Sequence, residues 1–255
     1  MQIQTHFTPH EVDEIALREK TAIVIDVLRA STTVITALCN GARELIPTPT
    51  VAAAARIAGG LAGAVTIRGG AQNGRIIEGF AIGNSPLEYT EERVRDKSIV
   101  YSTTDGSPLF LKAKYAKHTL ICGFVNVSAV AVFLKEHAVD VEILCAGNRG
   151  RFAIEDAVCA GMLLNLLGEE ADLQLTLCDA SLAAHSLYRT NHRNLQRMVR
   201  QSEGGKFLEA LGYADDLRYC AGVDTVPVLP FLDDNMLRLR KDNDRRESPA
   251  TPASL

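Results

Sequence analysis

The chain has 255 residues, 47% hydrophobic and 23% charged, with a formal net charge of -4 at pH 7. Such a composition excludes a fibrous or disordered protein and gives enough material for a sizeable core, organised over residues 1–239 as one domain or as two closely packed halves. No net basic field exists to attract nucleic acid, so an anionic ligand must be met by local cations. The start, MQIQTHFTPHEVDE, has no basic leader or apolar run, and no later stretch is apolar for long enough to span a bilayer, which points to a cytoplasmic protein without a membrane partner.

In chain order, β-branched apolar runs alternate with helix-like segments, the pattern of an α/β protein. Residues 22–28 read as a buried strand that leads through Arg29-Ala30-Ser31 into a helix over 32–38, stopped by Asn40-Gly41. Further strands are expected at 44–47, 64–68, 98–103, 119–124 and 141–146, with helices at 51–61, 125–137 and 151–167. The region 172–212 reads as mainly helical, and 226–232 as a late strand whose two prolines favour a sheet edge. The mixed-charge run 240–255 lacks apolar periodicity and reads as a disordered tail. Six cysteines, at 39, 122, 145, 159, 178 and 220, show no metal-binding spacing and read mainly as buried thiols.

Four segments carry residues suited to phosphate chemistry. In IVIDVLRASTTVITAL, Asp26 falls near the carboxyl end of a strand, where open α/β sheets bind ligands. Asp26 could hold a metal, Arg29 could grip an oxyanion through two parallel hydrogen bonds, and Ser31, Thr32 and Thr33 could present hydroxyls and amides at a helix start. A plain helix cap beside a surface arginine explains the same residues. In GFAIGNSPLEY, Ser85-Pro86 reads as a helix N-cap, with Asn84 free to meet an oxyanion or to shape a structural loop. STTDGSP, at 102–108, offers Thr103 and Thr104 as parts of a phosphate cradle or of an ordinary strand-to-helix turn. In CAGNRGRFAIEDAVCAG, glycines including Gly147 make a turn, and Glu155 and Asp156 enter the first turn of a helix, whose dipole they complement or whose metal they bind. Mg²⁺ suits such a set, because it takes oxygen ligands, keeps several waters and needs only one or two protein carboxylates beside a phosphate. The six histidines are scattered.

Taken in order, IDVLRASTTVITAL, GFAIGNSPLEYT, TTDG and CAG-x-x-G-x-F-x-x-ED-x-x-CAG resemble the 2-phosphosulfolactate phosphatase family, and NVSAVAVFL and CDASLAA extend the likeness over about residues 20–230. The resemblance implies a three-layer α/β/α sandwich with a largely parallel or mixed sheet. It also implies a Mg²⁺-dependent hydrolase that converts 2-phospho-3-sulfolactate to 3-sulfolactate and phosphate in coenzyme M biosynthesis. Motif matching carries Asp26, Arg29, Asn84, Ser85, Thr103, Thr104, Glu155 and Asp156 to site positions. The expected roles are metal ligation by Asp26, Glu155 and Asp156, catalysis by these with Arg29, and substrate binding by Arg29, Ser31, Thr32, Arg68, Asn84, Ser85, Thr103, Thr104 and Gly147. Two motifs depart from the family: Thr66-Ile67-Arg68-Gly69 stands where Gly-Glu-Arg-Gly is usual, and Asp105 replaces an asparagine in the threonine loop.

Two other readings stay open. Cys145 and Arg151 satisfy the C-x5-R spacing of a cysteine phosphatase, though the glycine placement is poor. A non-enzymatic anion-binding protein with the same fold is the other. A small-molecule phosphoester is the expected partner, and a homo-oligomer is left open.

Overall fold

The computed structural model describes residues 1–60, 66–137, 139–169 and 173–240. Its elements run β1 (Gln2–His6), β2 (Thr21–Ile25), α1 (Ala30–Cys39), β3 (Glu44–Pro47), α2 (Val51–Gly59), β4 (Thr66–Gln72) and β5 (Arg75–Ile76). Next come α3 (Glu91–Val94), β6 (Ser98–Thr103), α4 (Gly106–Lys112), β7 (His118–Cys122), α5 (Val127–His137), β8 (Val141–Cys145) and α6 (Ile154–Gly168). The last third holds β9 (Thr176–Leu177), α7 (Asp179–Asn191), α8 (Leu195–Gln201), α9 (Glu203–Ala210), α10 (Ala214–Cys220), β10 (Pro230–Asp233) and β11 (Met236–Leu239).

All strands join one mixed sheet of order β5-β4-β6-β3-β11-β10-β7-β2-β8-β1-β9. It contains two parallel blocks, β4-β6-β3 and β7-β2-β8-β1-β9, welded by the antiparallel hairpin β10–β11. Three antiparallel pairings lie between the blocks, so the blocks run in opposite senses along the ladder. At roughly 20–25° of twist per strand, the five steps from β6 to β2 turn the strand direction by roughly 100–125°. The junction is also loosely laddered, with single registered pairs Phe231↔Leu120 and Leu237↔Leu45. Twist and looseness together let the carboxyl ends of both blocks face a common space.

The layers follow from period-2 alternation in strands buried on both faces. Ile23 and Ile25 of β2 pack with α5 and α6 residues such as Val130, Leu134 and Leu163, whereas Ala22 and Val24 pack with Val34, Ile35 and Phe110 of α1 and α4. In the other block, Ile99 and Tyr101 of β6 join the α1–α4 side, and Val100 meets Ala54 of α2. The result is the expected three-layer α/β/α sandwich. Among the described residues no helix is long and apolar enough to cross a membrane.

Several expectations need correction. The late strand β10 is central, between β7 and β11, rather than at an edge. Its proline is tolerated because Pro230 is the first strand residue, where no inner ladder bond is lost. The strand expected at 64–68 extends to Gln72, so Arg68 lies inside β4 instead of at its end; residues 61–65 lie outside the described residues. Strand β1 was not anticipated: QIQTH has two buried positions in alternation, too short a signal to separate from a loop. Cys39 is exposed, whereas Cys122, Cys145, Cys159 and Cys220 are buried, and all six are free. The expected tail lies outside the described residues from 241 onward, while Arg240 pairs with Asp233 at 2.8 Å.

Candidate active site

A cleft of about 80 Å³ opens where β2, β6 and β8 end, lined among others by Asp26, Thr104, Asp105, Gly147 and Glu155. Arg29, Asn84, Thr103 and Asp156 also line it, so eight of the residues singled out in the sequence meet in one place. Ser31, Thr32, Arg68 and Ser85 are not among its lining residues.

Asp26 follows β2 directly. Its Oδ1 accepts the Ala30 N–H at 3.1 Å, and its own N–H donates to the Ser31 hydroxyl at 2.8 Å. The cap and the cleft carboxylate are thus one side chain. The carboxyl is pushed up to about 7, first by burial, then by the Asp105 charge and, more weakly, by Glu155; the Ala30 N–H and Arg29 oppose this. Asp105 is raised by its own burial, and its Oδ2 accepts the Arg149 N–H at 3.2 Å. Glu155 is raised by burial and lies against α9: a Cβ on Gly204 would sit 2.7 Å from its Oε1.

Asp156 does a different task. Its Oδ1 accepts the Val27 N–H at 2.8 Å and its Oδ2 the Gly147 N–H at 3.0 Å, so it pins the turns after β2 and β8 together. Burial, followed by the Asp26 and Glu155 charges, pushes it well above the ordinary range. The turn it holds requires glycine, because Gly147 sits at φ 66° and a Cβ there would lie 2.2 Å from the Arg151 carbonyl oxygen.

Arg29 is buried and fixed from three sides. It donates to Asp216 Oδ2 at 2.6 Å and to the Gly74 carbonyl at 2.9 Å, and its guanidinium lies 4.3 Å from the Tyr213 ring centroid. Asp216 in turn accepts the Ser85 hydroxyl at 2.6 Å. Ser85 therefore acts on Asp216 and makes no side-chain cap on the short 3-10 turn Pro86–Glu88. Asn84 accepts the Tyr101 hydroxyl on Oδ1 and the Thr33 hydroxyl on its backbone oxygen at 2.9 Å. Ser31 and Thr32 turn inward, donating to the carbonyls of Val24 and Val27. The Thr103 hydroxyl accepts the Ser107 N–H at 2.9 Å, capping α4, and Thr104 is exposed. Arg68 stands over the Phe80 ring at 5.7 Å, on the α2 side of β4.

Sequence reading missed Asp216. In Ala214-Asp215-Asp216 it looks like an ordinary acid in a first helical turn, and nothing local shows that it faces a residue 187 positions away. Cys145 is buried, is not among the lining residues, and has its thiol pushed well above the ordinary range by burial and then by Asp156. Arg151 is exposed and pairs with Glu203 at 2.6 Å. This pair does not form a thiolate–arginine site.

Among the described residues no three of His, Cys, Asp and Glu converge as a ready-made metal cage. The donors still suit a hard cation. Asp26, Asp105 and Glu155 are hard oxygen groups, the charges of Asp105 and Glu155 add to burial in raising Asp26, and Arg29 is matched by Asp216.

The chain is similar over residues 6–235 to the family model for 2-phosphosulpholactate phosphatase. A "Probable 2-phosphosulfolactate phosphatase" of Caldanaerobacter subterraneus subsp. tengcongensis is 34% identical over 95% of this chain and 100% of that protein. Proteins of the same description are 37% identical in Symbiobacterium thermophilum, over 88% of this chain and 95% of that one, and in Gloeobacter violaceus, over 90% and 94%. With matches across nearly its whole described length, the chain belongs to the 2-phosphosulfolactate phosphatase family, a family of phosphoric monoester hydrolases.

Proposed function

We propose that this protein is a Mg²⁺-dependent phosphatase of a small, multiply charged phosphoester, with 2-phospho-3-sulfolactate as substrate and 3-sulfolactate and phosphate as products. One observation carries the reading: buried carboxylates Asp26 and Glu155 share a cleft with Asp105 and a locked Arg29, and burial first, then the Asp105 charge and more weakly that of Glu155, pushes Asp26 up to about 7. Asp26, Asp105 and Glu155 are the residues that would hold the cation, since Mg²⁺ needs only one or two protein carboxylates beside water and phosphate. The bound ion supplies charge neutralisation for the transferring phosphoryl group. Arg29 keeps donors for phosphate oxygens because Asp216 and Gly74 use only part of its five-donor fork. Asp156 contributes by holding the turns that carry Asp26 and Gly147.

Phosphate release from 2-phospho-3-sulfolactate tests the reading. Turnover should require Mg²⁺, stop with EDTA and persist in Cys145→Ser. EDTA-resistant turnover abolished in Cys145→Ser would replace it with thiol chemistry, and ligand-induced stabilisation without any turnover would favour a binding protein.

A further inference from the structure

The cations lining the cleft, among the described residues, are Arg29 and Arg149. They are electrically unequal. Arg29 is paired at 2.6 Å with Asp216, and both side chains are only 2–3% exposed, so it brings hydrogen-bond donors but little net positive charge. Among the described residues Arg149 has no carboxylate paired with its guanidinium, although its charge acts on the neighbouring Asp105 carboxyl, which accepts its backbone N–H.

Arg149 is also held in place by its backbone and by a ring contact. Its backbone sits at φ 54°, in the left-handed region that a non-glycine residue avoids. That conformation is tied down by its N–H to Asp105 Oδ2 at 3.2 Å. Its guanidinium lies 4.9 Å from the ring centroid of Phe207, a partly exposed residue of α9 that itself lines the cleft. A loop after β8 and a helix late in the chain thus hold at the rim one guanidinium that, among the described residues, no carboxylate pairs directly.

We propose that Arg149 is the specificity-determining cation of this site, positioned by Phe207 to receive the second acidic group, carboxylate or sulfonate, of a phosphoester that carries one. The inference rests on the phosphatase reading. Arg68 cannot take this part from its place within β4 over Phe80. A planar guanidinium matches carboxylate and sulfonate oxygens through parallel hydrogen bonds, and at an open rim it discriminates by charge and geometry without entering the reaction.

Equilibrium binding of 3-sulfolactate and of inorganic phosphate to the Mg²⁺-loaded protein tests it, by calorimetry on wild type, Arg149→Gly, Arg149→Lys and Phe207→Leu. Arg149→Gly removes the side chain while suiting the positive φ, so loss of fold does not confound the result. It is expected to weaken 3-sulfolactate by about tenfold or more, the loss of a charge-assisted pair, and to leave phosphate within about twofold. Arg149→Lys should fall between, and Phe207→Leu should weaken 3-sulfolactate by several-fold with phosphate unchanged. Unaltered 3-sulfolactate binding in Arg149→Gly, or equal weakening of both anions, overturns the assignment. Turnover of the phosphoester by wild type is measured alongside. Normal turnover without anion discrimination removes Arg149 alone, whereas no turnover removes the phosphatase reading.

Discussion

Asp26 was legible because a lone acid at the end of the run Thr21–Ile25, all five residues buried, has few structural reasons to be there. Its double use was not: one oxygen caps α1, and among the described residues Oδ2 has no donor. Arg29 was legible as a residue of the cleft, yet its partner Asp216 was hidden, since an ion pair across 187 positions leaves no local mark. The raised Asp26 pKa makes a pH prediction for the metal-free protein. The folded value is about 7 against an ordinary 3.8, so between these the unfolded chain has lost a proton that the folded chain retains. Stability falls as pH rises through that window, and the stabilisation from the neutral acid is present only below it. Asp26→Asn removes the ionisation while keeping an acceptor for Ala30. In EDTA its Tm should match wild type near pH 4 and exceed it above pH 7, while its Mg²⁺-dependent turnover falls by about a hundredfold or more. Parallel Tm curves across that range, or near-normal turnover, would reduce Asp26 to a helix cap.

Helix α6 shows what a helical pattern reveals and withholds. Its residues are buried around most of the circumference, so the segment reads plainly as an interior helix. A helix apolar on all sides does not announce its neighbours. The contact with α7 depends on Gly161, where a Cβ would lie 2.0 Å from the Ala184 carbonyl oxygen and 2.8 Å from Tyr188 Cβ. Backbone cannot yield as a flexible side chain can. Gly161→Ala, although it raises helix propensity, should therefore destabilise the protein by about 1–3 kcal/mol, read as a lower urea midpoint at unchanged slope. A neutral or stabilising result would mean that α7 can move away freely. Strands β1 and β10 mark the same limit. Two alternating buried residues were too few to reveal the first, and the prolines suggested an edge for a strand that tertiary pairing places at the centre.

At the scale of the whole molecule, the ordered motifs revealed that four distant segments belong together, but not how two oppositely running blocks bring them to one cleft. That depends on sheet twist and on the β10–β11 hairpin, whose sequence near the chain's end carries no functional motif. Leu237 of β11 sits at the weld: it is fully buried, registers with Leu45 of β3, and belongs to the core shared by β2, β6 and α1. If the weld makes the blocks one cooperative unit, Leu237→Ala should cost about 2–5 kcal/mol, as for other buried leucine truncations, and preserve a single unfolding transition. Hydrogen exchange distinguishes the cases, since the slowest amides in each block report the largest openings that expose it. In one unit, protection in β3 and β6 and in β2 and β8 should fall by the same factor, and Mg²⁺-dependent turnover should disappear at the same urea concentration as both. Loss of protection confined to β3 and β6, with β2 and β8 unchanged, would instead make residues 1–239 two separately stable halves whose contact merely assembles the cleft.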